Sequence, residues 1–339
     1  MFACFCLLKN LRSMKEVKST MQKINISILD ALTLGDDIDF SLFRAIANVT
    51  VYGMTVPQDV TEHIGNSEVI IVNKVKLYKD NLEKSKNLKL ICVTATGYDN
   101  IDIEYCKSRQ IAVCNVCGYS SDSVSQITAA MALSLVNNLP YFDDFVKSGQ
   151  YTASGKQNRV EPVFHEVGTM TWGIVGLGAI GKKTAQTAKT LGFNVIAYKR
   201  PPDADFECVP LDELCRRSDV ISIHLPLTDS TRHIIYKEKI KSMKNTAIVI
   251  NVARGAVVDE EALAEAVLNG DIGGIGIDVY TEEPMSADSP YNMLKSMKNV
   301  ILTPHTAWGA YEARVRCMNE IAENIRSFYR GEIRNRVDV

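Results

Sequence analysis

Three polar residues toward the C-terminal end of the chain stand in otherwise apolar frames: Arg254 in NVARGAVVDE, Glu283 in IDVYTEEP and His305 in TPHTAWGAYEAR. Singly, each has an ordinary explanation: a surface cation, an acid in a solvated turn, a satisfied core histidine. Jointly they are the parts that reduction of a 2-oxo acid requires. Hydride arriving at a carbonyl carbon drives negative charge onto its oxygen, and a proton must follow. An imidazole with an ordinary pKa of about 6.5 supplies that proton near neutrality if a carboxylate orients the ring and stabilises its charged form. A guanidinium binds a carboxylate or a polarised carbonyl through a planar fork that lysine lacks.

A hydride donor has a place as well. In TWGIVGLGAIGKKTAQTAKTLG, Gly176, Gly178 and Gly181 fall in GxGxxG spacing, directly after an apolar run and directly before a helical one. The first glycine permits a tight turn, the second lets backbone approach a pyrophosphate, and the third lets helix and strand pack closely. A phosphate then sits on the helix N-terminus, where unpaired N–H groups and the helix dipole favour an anion. The next strand, NVIAY, ends in Lys199 and Arg200. A unit of this kind that binds NAD carries an acid at that strand end for the adenosine ribose 2′-OH, whereas two cations suit the 2′-phosphate of NADP. NADP(H) is therefore expected over NAD(H). The competing arrangement leaves both cations in solvent and bends Asp203 or Asp205 back to the ribose, against the stiffness of Pro201-Pro202.

These residues need strand ends to stand on. From Lys23 the chain alternates apolar runs (INISIL, VTVYG, EVIIVN, LKLICVTAT, IAVCNV) with helix-length spacers, and the rhythm restarts at TMTWGIVGLG through NVIAY, DVISIHL, TAIVIN, GGIGIDV and NVILTPH. That is the pattern of right-handed βαβ units and parallel sheets, in an α/β fold with two doubly wound Rossmann-like domains. Its 339 residues exceed one comfortable domain. Between the two series, SSDSVSQITAAMALSLVNN is expected to be a long helix capped by Ser121 or Asp122, with Val124, Ile127, Met131 and Leu135 on its apolar face. Residues 139 to 167 are polar and weakly periodic, and are expected to form an arm lying over a neighbouring copy. The segment EARVRCMNEIAENIRSFYRGE is helical, with Gly331 as its stop.

Composition narrows the partner. Lys plus Arg number 38 against 40 Asp plus Glu, so no overall positive field draws the chain to nucleic acid. No run of about 20 apolar residues is present to span a membrane. Nine scattered cysteines suit a reducing, cytoplasmic setting better than a disulfide framework. The CxxC pair Cys114 and Cys117 has no second pair beside it and reads as structural, so no metal is expected. Residues 1 to 20 make a poor signal peptide and are expected to be a disordered extension ahead of Met21.

In order and spacing these motifs resemble the D-isomer-specific 2-hydroxyacid dehydrogenase family from about Met21 to Arg336. LDALTLGDDID, TATGYDNID and TPHTAWGAYEAR are most similar to its glycerate dehydrogenase (hydroxypyruvate reductase) branch. The resemblance implies a catalytic triad of Arg254, Glu283 and His305, with Glu282 as the near alternative. It implies substrate contacts from the backbone of Thr96 and Gly97 and from Trp308, and cofactor contacts at Ala179, Ile180, Pro226, Thr231, Val252 and Asp278. It also implies a discontinuous substrate domain, residues 21–118 with 305–339, around a dinucleotide-binding domain at 119–304, with a cleft between them, and a two-fold homodimer. The sequence departs from the family at Cys117-Gly118, where proline-glycine is usual, while Gly309 and Tyr311 lie where branch members vary. The function implied is reduction of hydroxypyruvate or glyoxylate to the D-2-hydroxy acid. Two other readings are a dinucleotide-sensing, corepressor-like binding protein and a formate- or phosphite-type dehydrogenase; formate-type members carry glutamine where Glu283 stands.

Overall fold

The computed structural model describes residues 24–339. The extension expected at residues 1 to 20 lies outside them. The described chain divides into two compact units, one running to Tyr119 and resuming as Tyr311–Val339, the other comprising Ser120–Ala310.

In the first unit the apolar runs become β1 (Asn25–Ile28), β2 (Asn48–Val51), β3 (Val69–Val72), β4 (Leu90–Val93) and β5 (Ala112–Cys114). They form a parallel sheet in the order β2-β1-β3-β4-β5. Every residue of β3 and β4 is buried, as β-branched runs covered on both faces of a parallel sheet should be. The returning helix Tyr311–Tyr329 packs on β4 and buries Ala313, Cys317, Ile321 and Ile325 at fourfold spacing. Gly331, left-handed at φ +76°, follows its end. The tail then closes on β5, with Val337 N donating to Val113 O at 2.9 Å and Val113 N to the Asp338 carboxylate at 2.8 Å. Cys114 is buried there with Sγ 3.3 Å from Arg334 O, whereas Cys117 is exposed.

The second unit holds β6 (Thr171–Val175), β7 (Asn194–Tyr198), β8 (Glu207–Cys208), β9 (Val220–Ile223), β10 (Ile248–Asn251), β11 (Gly274–Ile277) and β12 (Val300–Leu302). The order is β12-β11-β10-β9-β6-β7-β8, all parallel. Only the two-residue β8 was not anticipated. Neighbouring residues part to opposite faces: Ile174, Val220 and Ile250 join one core with Trp172 and Leu135, while Val175, Ile221 and Val249 join another with Leu263 and Ile277. The chain runs outward from β6 through β7 and β8, then crosses to β9 on the other side of β6. That reversal is the switch point at which open α/β sheets bind ligands beyond the carboxyl ends of their strands.

Three details differ from expectation. The long helix is Ser121–Val136, so Ser121 is its first residue rather than its cap, and Asp122 pairs with Lys183 at 2.7 Å. The segment expected as a weakly periodic arm contains the helices Leu139–Lys147 and Gln150–Ser154. Pro140 sits in the first turn, where its missing N–H costs nothing, and Phe145 alone of that first helix is buried although Leu139, Phe142 and Val146 share its helical spacing. Finally, residues 305 to 310 belong with the second unit. Ser123 Oγ donates to Ala307 O at 2.6 Å and accepts from Ala310 N at 3.1 Å, so the chain returns to the first unit at Tyr311. Among the described residues no helix is long and apolar enough to cross a membrane.

Candidate active site

Two of the three glycines after β6 are demanded by a neighbour, and the third stands open. Gly176 is left-handed at φ +96°, and a Cβ there would lie 2.8 Å from Leu225 Cδ2. A Cβ on Gly181 would meet Gly176 O at 1.9 Å, so the helix Ala179–Thr190 can approach the turn only without a side chain. Around Gly178 a Cβ would meet nothing within 4 Å, and Gly178 and Ala179 are exposed with Ile180 half-buried. The helix N-terminus therefore presents bare backbone, which fits a pyrophosphate by its N–H groups and dipole.

Beside it, Pro226 and Thr231 lie in the loop after β9, where Thr231 Oγ1 donates to Pro226 O at 2.6 Å and accepts from Thr228 N at 2.7 Å. His224, at the end of β9, has Nε2 3.0 Å from Ser222 Oγ, which also accepts from Trp172 Nε1 at 2.9 Å. Burial pushes the His224 pKa down to about 3, so the imidazole stays neutral.

At the end of β7 the structure shows a pairing that neither sequence arrangement included. Lys199 is not held out to solvent: its ammonium lies 2.8 Å from Asp203 Oδ2. The same oxygen takes Lys182 at 2.8 Å, and Lys182 also reaches Asp205 at 3.9 Å. Asp203 does turn back, but onto the lysines. Hydrogen bonds from Lys182 and then Lys199 hold its carboxyl far below the usual carboxylate range. Arg200 is exposed, its guanidinium 5.7 Å from the Tyr198 ring centre. Lys182 went unnoticed in the sequence, although its place one residue after Gly181, in the first turn of the helix, was a usable signal.

Arg254, Glu283 and His305 follow β10, β11 and β12, three adjacent parallel strands, so the sheet alone gathers them at one edge. Asn251, 1% exposed, staples the turn after β10: Oδ1 accepts from Ala253 N at 3.1 Å and Nδ2 donates to Arg254 O at 2.9 Å. Half-buried Val252 lies inside that turn. The Arg254 Nη1 donates to Ala253 O at 2.8 Å. A Cβ on Gly255 would fall 2.0 Å from Tyr280 C and 2.1 Å from Thr281 N, so this backbone lies directly against the loop that carries the glutamates.

Of the two glutamates, Glu283 is the one that meets His305. Its Oε2 lies 2.7 Å from His305 Nδ1, and its Oε1 accepts from Tyr280 N at 3.2 Å. An ionised carboxylate only accepts, so Nδ1 donates and the ring tautomer is set. Glu282 instead lines a small pocket with Glu260, Tyr280 and Thr281. Asp278, 1% exposed, does structural work that the sequence did not show: its carboxylate accepts from the Thr303 hydroxyl at 2.6 Å, Thr306 N at 2.8 Å and Ala307 N at 3.0 Å. Trp308 is half-buried in the same turn. Thr96 and Gly97 belong to the first unit, beyond the end of β4, where Thr96 Oγ1 donates to Val116 O at 3.0 Å and Asn115 Nδ2 to Thr96 O at 2.7 Å.

Residues 129–307 match the family model described as D-isomer specific 2-hydroxyacid dehydrogenase, NAD binding domain. The chain is 32% identical to a hydroxypyruvate reductase of Blautia hydrogenotrophica over 317 residues, 91% of this chain and 98% of that protein. Among solved structures, a D-lactate dehydrogenase from Aquifex aeolicus complexed with NAD and lactic acid is similar with a TM-score of 0.80 at 30% identity, covering 93% of this chain and 99% of that one. An acyclic imino acid reductase in complex with NADPH and D-Arg has a TM-score of 0.81 at 26% identity, covering 93% and 100%.

Proposed function

The chain belongs to the D-isomer specific 2-hydroxyacid dehydrogenase family, and on that premise we propose that it reduces hydroxypyruvate or glyoxylate to the D-2-hydroxy acid with His305 as general acid. The enzyme class, a nicotinamide-dependent D-2-hydroxyacid dehydrogenase, follows from the family. The observation that carries the mechanism is the 2.7 Å contact between His305 Nδ1 and Glu283, one strand away from Arg254.

When bound, the nicotinamide supplies the hydride. The protein's own groups do the rest. Arg254 holds the substrate carboxylate or carbonyl by its fork, which fixes the face presented. Glu283 keeps the proton on Nδ1 and stabilises the imidazolium, so Nε2 is the ring atom that exchanges a proton with the substrate oxygen. General acid catalysis of this kind contributes about 10²- to 10⁴-fold. A glutamate at position 283 rather than glutamine speaks for carbonyl reduction and against formate oxidation.

The glycine turn, with its bare helix N-terminus, suits a dinucleotide. For the adenosine end, NADPH over NADH is supported by the three cations Lys182, Lys199 and Arg200 set against Asp203 and Asp205 at the end of β7. A homodimer is supported by Leu139, Val146, Val160 and Val163, all more than half exposed, in and after the two helices that follow Val136.

The test is steady-state turnover with hydroxypyruvate, glyoxylate, pyruvate and a branched 2-oxo acid, each with NADPH and NADH, and chiral chromatography of the product. Turnover of hydroxypyruvate or glyoxylate to the D acid is expected. Cofactor binding without turnover on any of these acids, or an L product, would refute the reading.

A further inference from the structure

The cation cluster at the end of β7 is built around an anion that the protein supplies itself. One oxygen of Asp203 takes the ammonium groups of Lys182 and Lys199, each at 2.8 Å. Its side chain is 6% exposed, beneath lysines that are 40% and 30% exposed. The other oxygen accepts from Asp205 N at 3.2 Å, and Asp203 N donates to Cys208 Sγ at 3.2 Å, on β8. Asp203 is therefore tied at its backbone and at both carboxylate oxygens, unlike a loop acid that samples solvent. The two lysines come from different elements, Lys182 from the first turn of the helix after the glycines and Lys199 from the end of β7. Between those elements a dinucleotide's adenosine ribose is placed in a unit of this type.

We infer that Asp203 is an internal counter-anion for the site of the 2′-phosphate, and that it limits how strongly the enzyme prefers NADPH over NADH. Two effects act together. A 2′-phosphate must take the lysines away from a carboxylate already hydrogen-bonded to them, and it must sit near that carboxylate's like charge. A ribose 2′-OH meets neither penalty. Arg200, which stacks near Tyr198 and not on Asp203, is then the cation that distinguishes the two cofactors in the wild type. The inference rests on the adenosine ribose lying at the end of β7, as the proposed function has it, and not on which cofactor the wild type favours.

The experiment is isothermal titration calorimetry of NADPH and NADH into the full-length protein, wild type and Asp203→Asn, at low and high salt. The amide is the same size and frees both lysines. NADPH should bind the variant about tenfold more tightly, with a steeper salt dependence, while NADH stays within about twofold. Unchanged NADPH affinity, or NADH and NADPH weakening together, would overturn the inference. Should Asp203→Asn fail to fold, Asp203→Ser decides: the inference expects the same tightening of NADPH by about tenfold with NADH within about twofold, and an unchanged NADPH affinity overturns it. A wild type that favours NADH would refute the NADPH assignment alone, because the inference concerns the shift between wild type and variant.

Discussion

His305 stands in a left-handed backbone conformation, φ +52°, and Asp278 holds it there. The His305 N–H donates to the Asp278 carbonyl at 2.8 Å, while the Asp278 carboxylate gathers Thr306 N and Ala307 N just beyond. A non-glycine residue at positive φ costs of order 1 kcal/mol and persists only where its surroundings over-determine it. Asp278 is thus a positioning residue for His305, the acid of the proposed mechanism, through backbone and side chain alike. In Asp278→Asn one of the three donors would face an amide N–H, a mismatch worth about 1–3 kcal/mol when buried. Lower kcat and lower thermal stability are expected together, measured by steady-state kinetics and by melting. A variant with unchanged kcat would refute this role.

His305→Ala should lower kcat by about 10²- to 10⁴-fold with the calorimetric affinity for cofactor kept, because in the proposed mechanism the ring acts on the substrate. Glu283→Gln should fall less far, since it leaves the imidazole in place and removes only what orients it. A His305→Ala enzyme within about twofold of wild type would refute the assignment of the acid.

Two glycine substitutions should separate the halves of the site. Gly181→Ala forces a Cβ to within 1.9 Å of Gly176 O, which pushes the helix from the turn and should abolish measurable cofactor binding. Gly255→Ala forces one to within 2.0 Å of Tyr280 C, which parts the loops of Arg254 and Glu283 and should remove turnover with cofactor binding retained. Titration calorimetry beside an activity assay distinguishes them.

His224 makes stability depend on pH. The unfolded chain protonates this imidazole below about 6.5, whereas the folded chain resists until about 3. Its contribution is therefore complete above about 6.5 and is lost progressively as the pH falls toward 3. Each unit of that difference is worth about 1.4 kcal/mol. Melting temperature followed from pH 7 down to about pH 4 should drop less steeply in His224→Gln than in wild type.

Lys199→Asp combined with Arg200→Ala should reverse an NADPH preference in kcat/KM. The new carboxylate would repel a 2′-phosphate and accept from a ribose 2′-OH. A double variant whose preference does not move would detach these residues from the cofactor.

Much of this protein is local in the sense that a short window carries it. The apolar runs of the central strands β3, β4, β9, β10 and β11 are buried throughout, and Gly181 answers to Gly176, five residues earlier in the same turn. The strand ends at Arg254 and His305 were legible for the same reason. Other features depend on groups that meet only after folding. Asp203 bonds to Lys182, 21 residues earlier, as well as to nearby Lys199, so two cations that look free in sequence are joined to a carboxylate. Asp278 binds Thr306 and Ala307 across a strand crossover, which keeps residues 305 to 310 in the second unit. Glu283 and not Glu282 meets His305, a contact between residues 22 apart on the loops after two different strands. Hydrophobic period and turn chemistry write themselves into neighbouring residues; the pairing of buried charges does not, because a carboxylate's partner is chosen by where the backbone of distant elements brings a donor.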